Sequence, residues 1–153
     1  MGQVPEYACM ITEWVKEVAR TPVLVKLTPN ITDIRTVARA ARRGRADGLS
    51  AINTINSITG IDLDTLTPRP NVGGLSAHGG YCGPAVKPIA LHLVQQIASD
   101  AEVGLPVSGI GGISGWRASV HSSGRARGSF SGGGQQPRAD CNHAHCQAGF
   151  SGA

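Results

Sequence analysis

Apolar residues in the first two thirds of the chain recur first with helix spacing and then with strand spacing. A stripe of four apolar side chains predicts a first helix over residues 7–20: Ile11, Trp14, Val15 and Val18. Thr21 and Pro22 stop this helix. The apolar, β-branched run over residues 23–27 predicts a buried parallel strand.

The same alternation continues beyond this strand. Residues 28–30, Thr-Pro-Asn, break the strand, and Thr32 or Asp33 can cap a second helix. Gly44 stands where a glycine at position C′ would end that helix. The helix has its own apolar stripe at the expected spacing: Ile34, Val37, Ala38 and Ala41.

Further elements follow in the order expected of an α/β protein. We predict a second strand over residues 47–53, a helix over 84–100 and a third strand over 105–110. Strands that alternate with helices indicate parallel βα units. A long Gly-rich loop is predicted over residues 54–83, and a loop of that length in a compact domain is more often functional than idle.

The character of the chain changes after Trp116. Residues 117–153 consist mainly of Arg, Ser, Gly, His and Gln, with Val120, Phe130 and Phe150 as the large apolar residues. We therefore divide the chain into an α/β part, residues 1–116, and an irregular, disordered, low-complexity tail. A frameshifted reading of GC-rich coding DNA explains the change simply. The alternative is a functional basic tail that contacts RNA.

Composition adds little about function. Hydrophobic residues at 41% and charged residues at 16% fit a soluble globular protein, and without an apolar run or leader pattern we expect a cytoplasmic location. The charge of +4 arises largely from two groups of arginines, over residues 35–45 and 117–138, and the first group fits a solvated helix face. We expect neither nucleic-acid nor membrane binding, and reduced cysteines. The Cys and His residues within 141–146 are too compact for a zinc site, so no metal site is predicted.

Three features carry candidate chemistry. Lys26 lies near the carboxyl end of a predicted strand, where burial of a cation costs free energy unless an anionic or electron-rich group faces it. The alternative is a lysine that extends out to solvent. Asn53 and Thr54 end the next strand and can pair with a planar ring that carries donors and acceptors, such as a pyrimidine.

Two glycine-rich segments form the third feature. Residues 108–112 can bring backbone N–H groups close to a phosphate, although a tight βα turn is an equal alternative. Residues 79–83 form a similar segment that leads into Pro84 at the first position of a helix.

Five ordered blocks together resemble the catalytic subunits of bacterial NAD-dependent dihydropyrimidine dehydrogenases, a branch of the dihydroorotate dehydrogenase-like FMN barrels. The resemblance runs from Gly2 to about Arg117. The blocks are Gly2 to Glu6, Val25 to Ile34, Ile52 to Ser57, Gly79 to Ala90 and Ser108 to Gly112. It implies a partial (β/α)8 TIM barrel of about three βα units, because a closed barrel needs roughly 250 residues.

The resemblance also implies an activity and roles for individual residues. The family reduces uracil or thymine to the 5,6-dihydropyrimidine, with electrons that come from NADH through a partner flavoprotein subunit and iron–sulfur clusters. Asn53 and Thr54 would hold the pyrimidine substrate. A further set would bind FMN: Lys26, Cys82, Gly83, Gly111 and Gly112.

The chain also departs from the family pattern. The family's first strands, with the loop that bears its general acid, and its last βα unit have no counterpart, so no catalytic residue is predicted. No Cys-Xaa-Xaa-Cys motif is present, so we expect no iron–sulfur cluster here, and Arg45 replaces a glycine that is usual in the family. An open sheet edge predicts poor solubility and no turnover by this chain alone. A dihydroorotate dehydrogenase and a nucleic-acid-binding protein that acts through the basic tail remain the alternatives.

Overall fold

The computed structural model describes residues 2–76 and 78–115, the Ser76 side chain excepted. The segment 117–153, for which a disordered or RNA-binding tail is predicted, lies outside the described residues. The helices are α1 (Pro5–Val18), α2 (Ile34–Arg43) and α3 (Lys87–Ala98), the last preceded by a 3-10 turn, Pro84–Val86. The strands are β1 (Leu24–Leu27), β2 (Gly48–Ala51), β3 (Ile55–Ser57), β4 (Gly60–Asp62), β5 (Thr67–Arg69), β6 (Asn71–Val72), β7 (Leu75–Ser76), β8 (Gly79–Tyr81) and β9 (Val107–Gly109).

A parallel sheet of three strands, in the order β1-β2-β9, organises the molecule. Its register pairs Val25 with Leu49 and Leu49 with Val107. The predicted parallel βα units are therefore confirmed, with each strand one to three residues shorter at its ends than predicted. Among the described residues, β1, β2 and β9 form an open sheet and not a closed barrel.

The core lies between this sheet and the helices α2 and α3. Its largest fully buried side chains come from all of these elements and the loop before β9: Leu27, Ile34, Leu49, Ile97 and Val103. Each is at most 2% exposed. Burial of a side chain of this size stabilises the fold by about 1.5–3 kcal/mol, so this layer holds the sheet to its helices.

The prediction that β1 is a buried strand holds for only part of the strand. Leu24 is 61% exposed, whereas Leu27 at the other end of the strand is 2% exposed. In the described part of the chain β1 has a neighbour on one side only, and its second face has no helix over it. The strand is therefore half-covered.

Helix α1 begins and ends two residues earlier than the predicted range 7–20, and its apolar stripe does not face the core. Trp14 is 58% exposed and Val18 is 79% exposed. The helix contacts α2 through small residues instead, with Thr12 only 4% exposed. A Cβ atom on Gly44 would lie 2.6 Å from the carbonyl oxygen of Cys9, so glycine at the end of α2 permits this close approach.

The predicted loop over residues 54–83 contains regular structure. Three antiparallel ribbons form within it: β3 with β8, β4 with β5 and β6 with β7. Strands of two or three residues carry no readable alternation of apolar and polar positions, which is why the sequence predicted only a loop.

The ends of α2 follow cap chemistry. Asp33, not Thr32, is the N-cap, and its carboxylate accepts a hydrogen bond from the Arg35 backbone N–H at 3.0 Å. The prediction of Gly44 at position C′ is wrong by one residue. Gly44 has φ −70°, and Arg45 takes the left-handed conformation with φ 68°. The bonds from Arg45 N–H to Arg42 O and from Ala46 N–H to Ala41 O complete a Schellman motif.

None of the described helices is both long and apolar enough to cross a bilayer.

The conformation of Arg45 generates a stability prediction. A Cβ atom strains the backbone in the left-handed conformation, and replacement of Arg45 by glycine removes this strain. The free energy gained exceeds the cost that comes from the greater conformational entropy of glycine in the unfolded chain. We expect Arg45→Gly to raise the free energy of unfolding by about 0.5–1 kcal/mol in urea denaturation. Arg43→Gly, which removes the same charge within α2, should lower it by a similar amount. Equal effects of the two variants would contradict this interpretation.

An ion pair joins α2 to the turn after α3. The guanidinium of Arg39 donates two hydrogen bonds to one carboxylate oxygen of Asp100, at 2.9 and 2.7 Å. The Asp100 side chain is only 5% exposed, and its other oxygen accepts the Glu102 N–H at 2.9 Å. The hydrogen bonds from Arg39 hold the pKa of Asp100 below its ordinary value.

This pair makes stability depend on pH. Because the pKa of Asp100 is lowered in the folded state, its contribution is present above the unfolded pKa and is lost as the pH falls through the folded value. Asp100→Asn should cost about 1–2 kcal/mol at neutral pH and less below about pH 4. Glu102→Gln should cost under about 0.5 kcal/mol, since Glu102 is 72% exposed. Equal losses for both variants in chemical denaturation would count against the Asp100 assignment.

Candidate functional site

The candidate site lies at the carboxyl edge of the parallel sheet, where all three strands end together. The backbone closes this edge: Asn53 N–H donates to Leu27 O at 2.9 Å, and Ile52 N–H donates to Ile110 O at 3.0 Å. The predicted site residues that follow β1, β2 and β9 are therefore brought to one side of the molecule. Parallel α/β proteins bind ligands outside this edge.

A polar row crosses the sheet face that the helices leave open. Lys26 pairs in register with Ser50, and Ser50 with Ser108. Residues in register on parallel strands share a face, and neighbouring strands are about 4.8 Å apart. The next row, Leu27 and Ala51, points the other way and is buried in the core.

The open face changes the interpretation of Lys26. The sequence placed a cation in a buried strand, but the structure leaves Lys26 exposed, so no desolvation cost arises here. Its ammonium group forms no salt bridge with a described residue. A cation at this polar edge, without a carboxylate partner among the described residues, is available to an anionic or electron-rich ligand.

The sequence did not single out the side chain of Ser50, and it placed Ser108 only within the glycine-rich segment 108–112. Their hydroxyl groups form no hydrogen bond with another described side chain or backbone group, and Ser108 is exposed while Ser50 is half-buried. A signal was present in the sequence, because Ser50 lies three residues before Asn53 and Ser108 lies directly before Gly109. Only the register of the sheet shows that they share a row with Lys26.

Asn53 and Thr54 project from the end of β2. Both residues are exposed, and the Asn53 side-chain oxygen accepts the Thr54 N–H at 2.9 Å. This bond leaves the Asn53 amide N–H groups without a hydrogen-bond partner among the described residues, while the Thr54 hydroxyl lies beside Gly80. The structure thus places the pair beside the strand that carries Lys26.

Thr54 lies against the ribbon of β3 and β8. A Cβ atom on Gly80 would lie 2.5 Å from Thr54 Oγ1 and 2.9 Å from Thr54 Cβ. Strand β8 can pair with β3 at this distance only because residue 80 is glycine. Gly80 therefore sets the position of the Thr54 side chain.

The glycines after β9 serve a close contact inside the fold. Gly111 and Gly112 have φ values of 127° and 67°, and a Cβ on Gly112 would lie 2.5 Å from Lys87 Cβ. They lie against the first turn of α3, the helix that precedes β9 in the chain. This contact requires a tight turn here, and the role of the same turn in binding a ligand stays a prediction.

Cys82 and Gly83 lie directly before the 3-10 turn that leads into α3. Gly83 has φ 95° and ψ −171°, a region open essentially to glycine alone. No heavy atom lies within 4 Å of an added Cβ there, so the backbone borders open space. Gly83 is the glycine of this edge best placed for the approach of a ligand, and the half-buried Cys82 is its neighbour.

Comparison with known proteins identifies the class. The sequence profile of the dihydroorotate dehydrogenase family matches residues 1–119. The chain belongs to the dihydroorotate dehydrogenase family, which confirms the resemblance read from the five sequence blocks and supports a barrel-type α/β fold.

Individual relatives fall in more than one branch. The chain is 50% identical over 117 residues to the NAD-dependent dihydropyrimidine dehydrogenase subunit PreA of Escherichia coli (strain K12), covering 76% of this chain and 28% of that protein. It is 45% identical over 120 residues to the dihydroorotate dehydrogenase B (NAD(+)) catalytic subunit of Pyrococcus abyssi, covering 78% and 38%. It is 45% identical over 113 residues to dihydroorotate dehydrogenase A (fumarate) of Lacticaseibacillus paracasei, covering 74% and 36%. The chain thus spans about a third of the length of these relatives.

The contact between Gly80 and Thr54 yields a prediction. Gly80→Ala would place a methyl group against Thr54 and force the ribbon or the side chain to move, at a cost of about 1–3 kcal/mol. We expect a lower midpoint in thermal unfolding and a shifted Thr54 methyl signal in the NMR spectrum. Gly60→Ala, in β4, meets no atom within 4 Å and is the matched control. An unchanged Thr54 signal in Gly80→Ala would show that the contact does not hold Thr54.

Proposed function

We propose that this chain carries the flavin and pyrimidine subsites of an oxidoreductase that reduces uracil or thymine to the 5,6-dihydropyrimidine. The observation that carries the proposal is the row Lys26–Ser50–Ser108 beside Asn53 and Thr54 at one carboxyl edge. A cation, hydroxyl groups and a side-chain amide together match a planar ring that has both hydrogen-bond donors and acceptors.

The donor set at this edge fits FMN. Lys26 offers a cation without a carboxylate partner among the described residues, and Gly83 offers backbone beside open space. FMN, when bound, supplies two-electron transfer to or from a carbon–carbon bond of the substrate. Lys26, Cys82, Gly83, Gly111 and Gly112 are the residues that we propose hold it.

Each residue then has a defined task. Lys26 stabilises negative charge that develops on the reduced ring, because its ammonium is exposed on the face where the ring would lie. Asn53 and Thr54 hold the pyrimidine by its amide edges. The Asn53 side chain is oriented for this by the hydrogen bond that it accepts from the Thr54 N–H.

A dihydroorotate dehydrogenase remains the second candidate. Relatives from both branches match at 50% and 45% identity, and an Asn-Thr pair recognises the ring common to both substrates. The dihydropyrimidine branch is preferred because the blocks Gly2 to Glu6 and Gly79 to Ala90 resemble it. Orotate carries a carboxylate that uracil lacks, so the relative affinity of the two ligands separates the candidates.

Electron supply would come from other chains. A relative named as a subunit implies an assembly, and we propose an NADH-oxidising flavoprotein subunit as the partner, with the iron–sulfur clusters held outside the described residues. We also propose that the chain alone does not turn over uracil. Uracil reduction by the purified chain, supplied with NADH and the flavoprotein, would contradict that statement.

Flavin binding tests the proposal directly. Titration of the full chain with FMN, followed by flavin fluorescence and absorption, should show saturable binding that Lys26→Ala weakens by about tenfold or more, the effect of one lost charge-assisted hydrogen bond. Uracil should then perturb the absorption of the bound flavin more strongly than orotate.

The control uses a lysine at the opposite edge. Lys16 pairs with Asp47 at 2.7 Å beside the start of β1, so Lys16→Ala removes the same charge away from the site. Its FMN affinity should stay within about twofold of the unmodified chain. Equal losses in both variants, or no binding by the unmodified chain, would overturn the proposed flavin site.

A further inference from the structure

A second asparagine, Asn30, connects the end of β1 to the segment that follows β2. Its side-chain N–H groups donate to Thr28 Oγ1 and to Thr54 O, each at 3.1 Å. Its side-chain oxygen accepts the Asn56 N–H at 2.9 Å. The three partners of this amide therefore lie in two segments of the chain: Thr28 follows β1, and Thr54 and Asn56 follow β2.

Only an amide can make this set of bonds. The side chain uses both donor positions and its acceptor at once, as Asn and Gln alone can do. An aspartate would keep the acceptor for Asn56 N–H but would place a second oxygen against the Thr54 carbonyl. Asn30 itself is half-buried, its bonds to Thr28 are partly buried, and its bonds to Thr54 and Asn56 are exposed.

The bonds also brace Asn30 itself. Thr28 Oγ1 accepts the Asn30 backbone N–H at 3.2 Å, in addition to the side-chain bond, and the Asn30 carbonyl accepts a hydrogen bond from the Gln3 side chain. These bonds hold the turn after β1 independently of the bonds to the neighbouring segment. A side chain that is itself held by hydrogen bonds keeps the groups bonded to it in place better than a mobile side chain does.

The two anchors of Asn30 on the next segment lie at Thr54 and Asn56, directly beside the Asn53–Thr54 pair. On the other side of the pair, Asn53 N–H is bonded to Leu27 O at 2.9 Å. The pair is thus clamped to β1 from both sides, and β1 is the strand that carries Lys26.

We propose that Asn30 is a positioning residue that fixes the Asn53–Thr54 pair relative to Lys26 and thereby sets affinity for the pyrimidine, but not for the flavin. This inference rests on the proposed function. It assigns to Asn30 no contact with either ligand. A change at Asn30 should move the pyrimidine-binding groups while it leaves the Lys26 strand in its sheet register.

The experiment compares the two affinities in one protein. The full chain and its Asn30→Asp, Asn30→Ala and Thr28→Val variants are titrated with FMN, and the FMN-loaded forms are then titrated with uracil. Asn30→Asp and Asn30→Ala should weaken uracil binding by about tenfold or more and change FMN affinity by less than about twofold. Thr28→Val, which removes only the brace, should have a smaller effect on uracil in the same direction.

A matched control and a structural readout separate positioning from general stability. Asn71 is exposed in β6 and has no hydrogen bond to the described segments that Asn30 joins, so Asn71→Asp should leave both affinities unchanged. Amide hydrogen exchange at Asn56 should be faster in the Asn30→Ala variant, while exchange in β2 is unchanged. Circular dichroism identifies any variant that fails to fold, in which case Thr28→Val carries the test.

The outcomes differ for the two proposals. If the unmodified chain binds FMN and uracil, and Asn30→Asp and Thr28→Val bind uracil as tightly as it does, the positioning role of Asn30 is overturned. Parallel loss of FMN and uracil affinity would likewise overturn it and indicate a purely structural role. If the unmodified chain binds FMN but not uracil, the pyrimidine part of the proposed function fails first, and the inference about Asn30 fails with it.

Discussion

The parallel pairing of β1, β2 and β9 is the constraint on which the other features depend. Parallel neighbours require crossover connections, which places α2 and α3 over one face of the sheet. The same pairing ends all three strands at one edge, where side chains from distant parts of the sequence come together. Leu27, Leu49 and Ile97 are buried in the core on one face of the sheet, and the other face is free to carry polar residues.

The candidate site is built mainly by backbone and by small residues. Glycine at position 80 lets a ribbon lie against Thr54, and glycines at 111 and 112 let the end of β9 contact the start of α3. Asn30 then connects segments that the sheet alone would leave independent. Few side chains are proposed to bind ligands, and contacts within the protein fix the positions of these side chains.

The sequence predicted the elements that have strong periodicity and missed those that do not. The three helices, the three parallel strands and the Asp33 cap could be read because apolar spacing and capping residues repeat known patterns. The ribbons within residues 54–83 were missed because strands of two or three residues have no period, and the left-handed Arg45 because its residue type argues against that conformation. The exposure of Trp14 could not be read either, since a stripe of apolar residues does not say whether anything covers it. Lys26, Asn53 and Thr54 were found because they stand at the ends of predicted strands, and the resemblance supplied their roles. Ser50 and Asn30 needed the register and the hydrogen bonds.

The pairing of β3 with β8 has a consequence for how this segment can vary. The pair ties the two ends of the segment together next to Thr54, so residues 58–78 leave and return at the same place. The entropy of loop closure grows only slowly with length, by about 0.6 kcal/mol for each doubling. Insertions or deletions at the tips of the β4–β5 and β6–β7 ribbons can therefore accumulate without moving the ends. The segment can diversify in length and surface chemistry while the residues at its base keep their geometry.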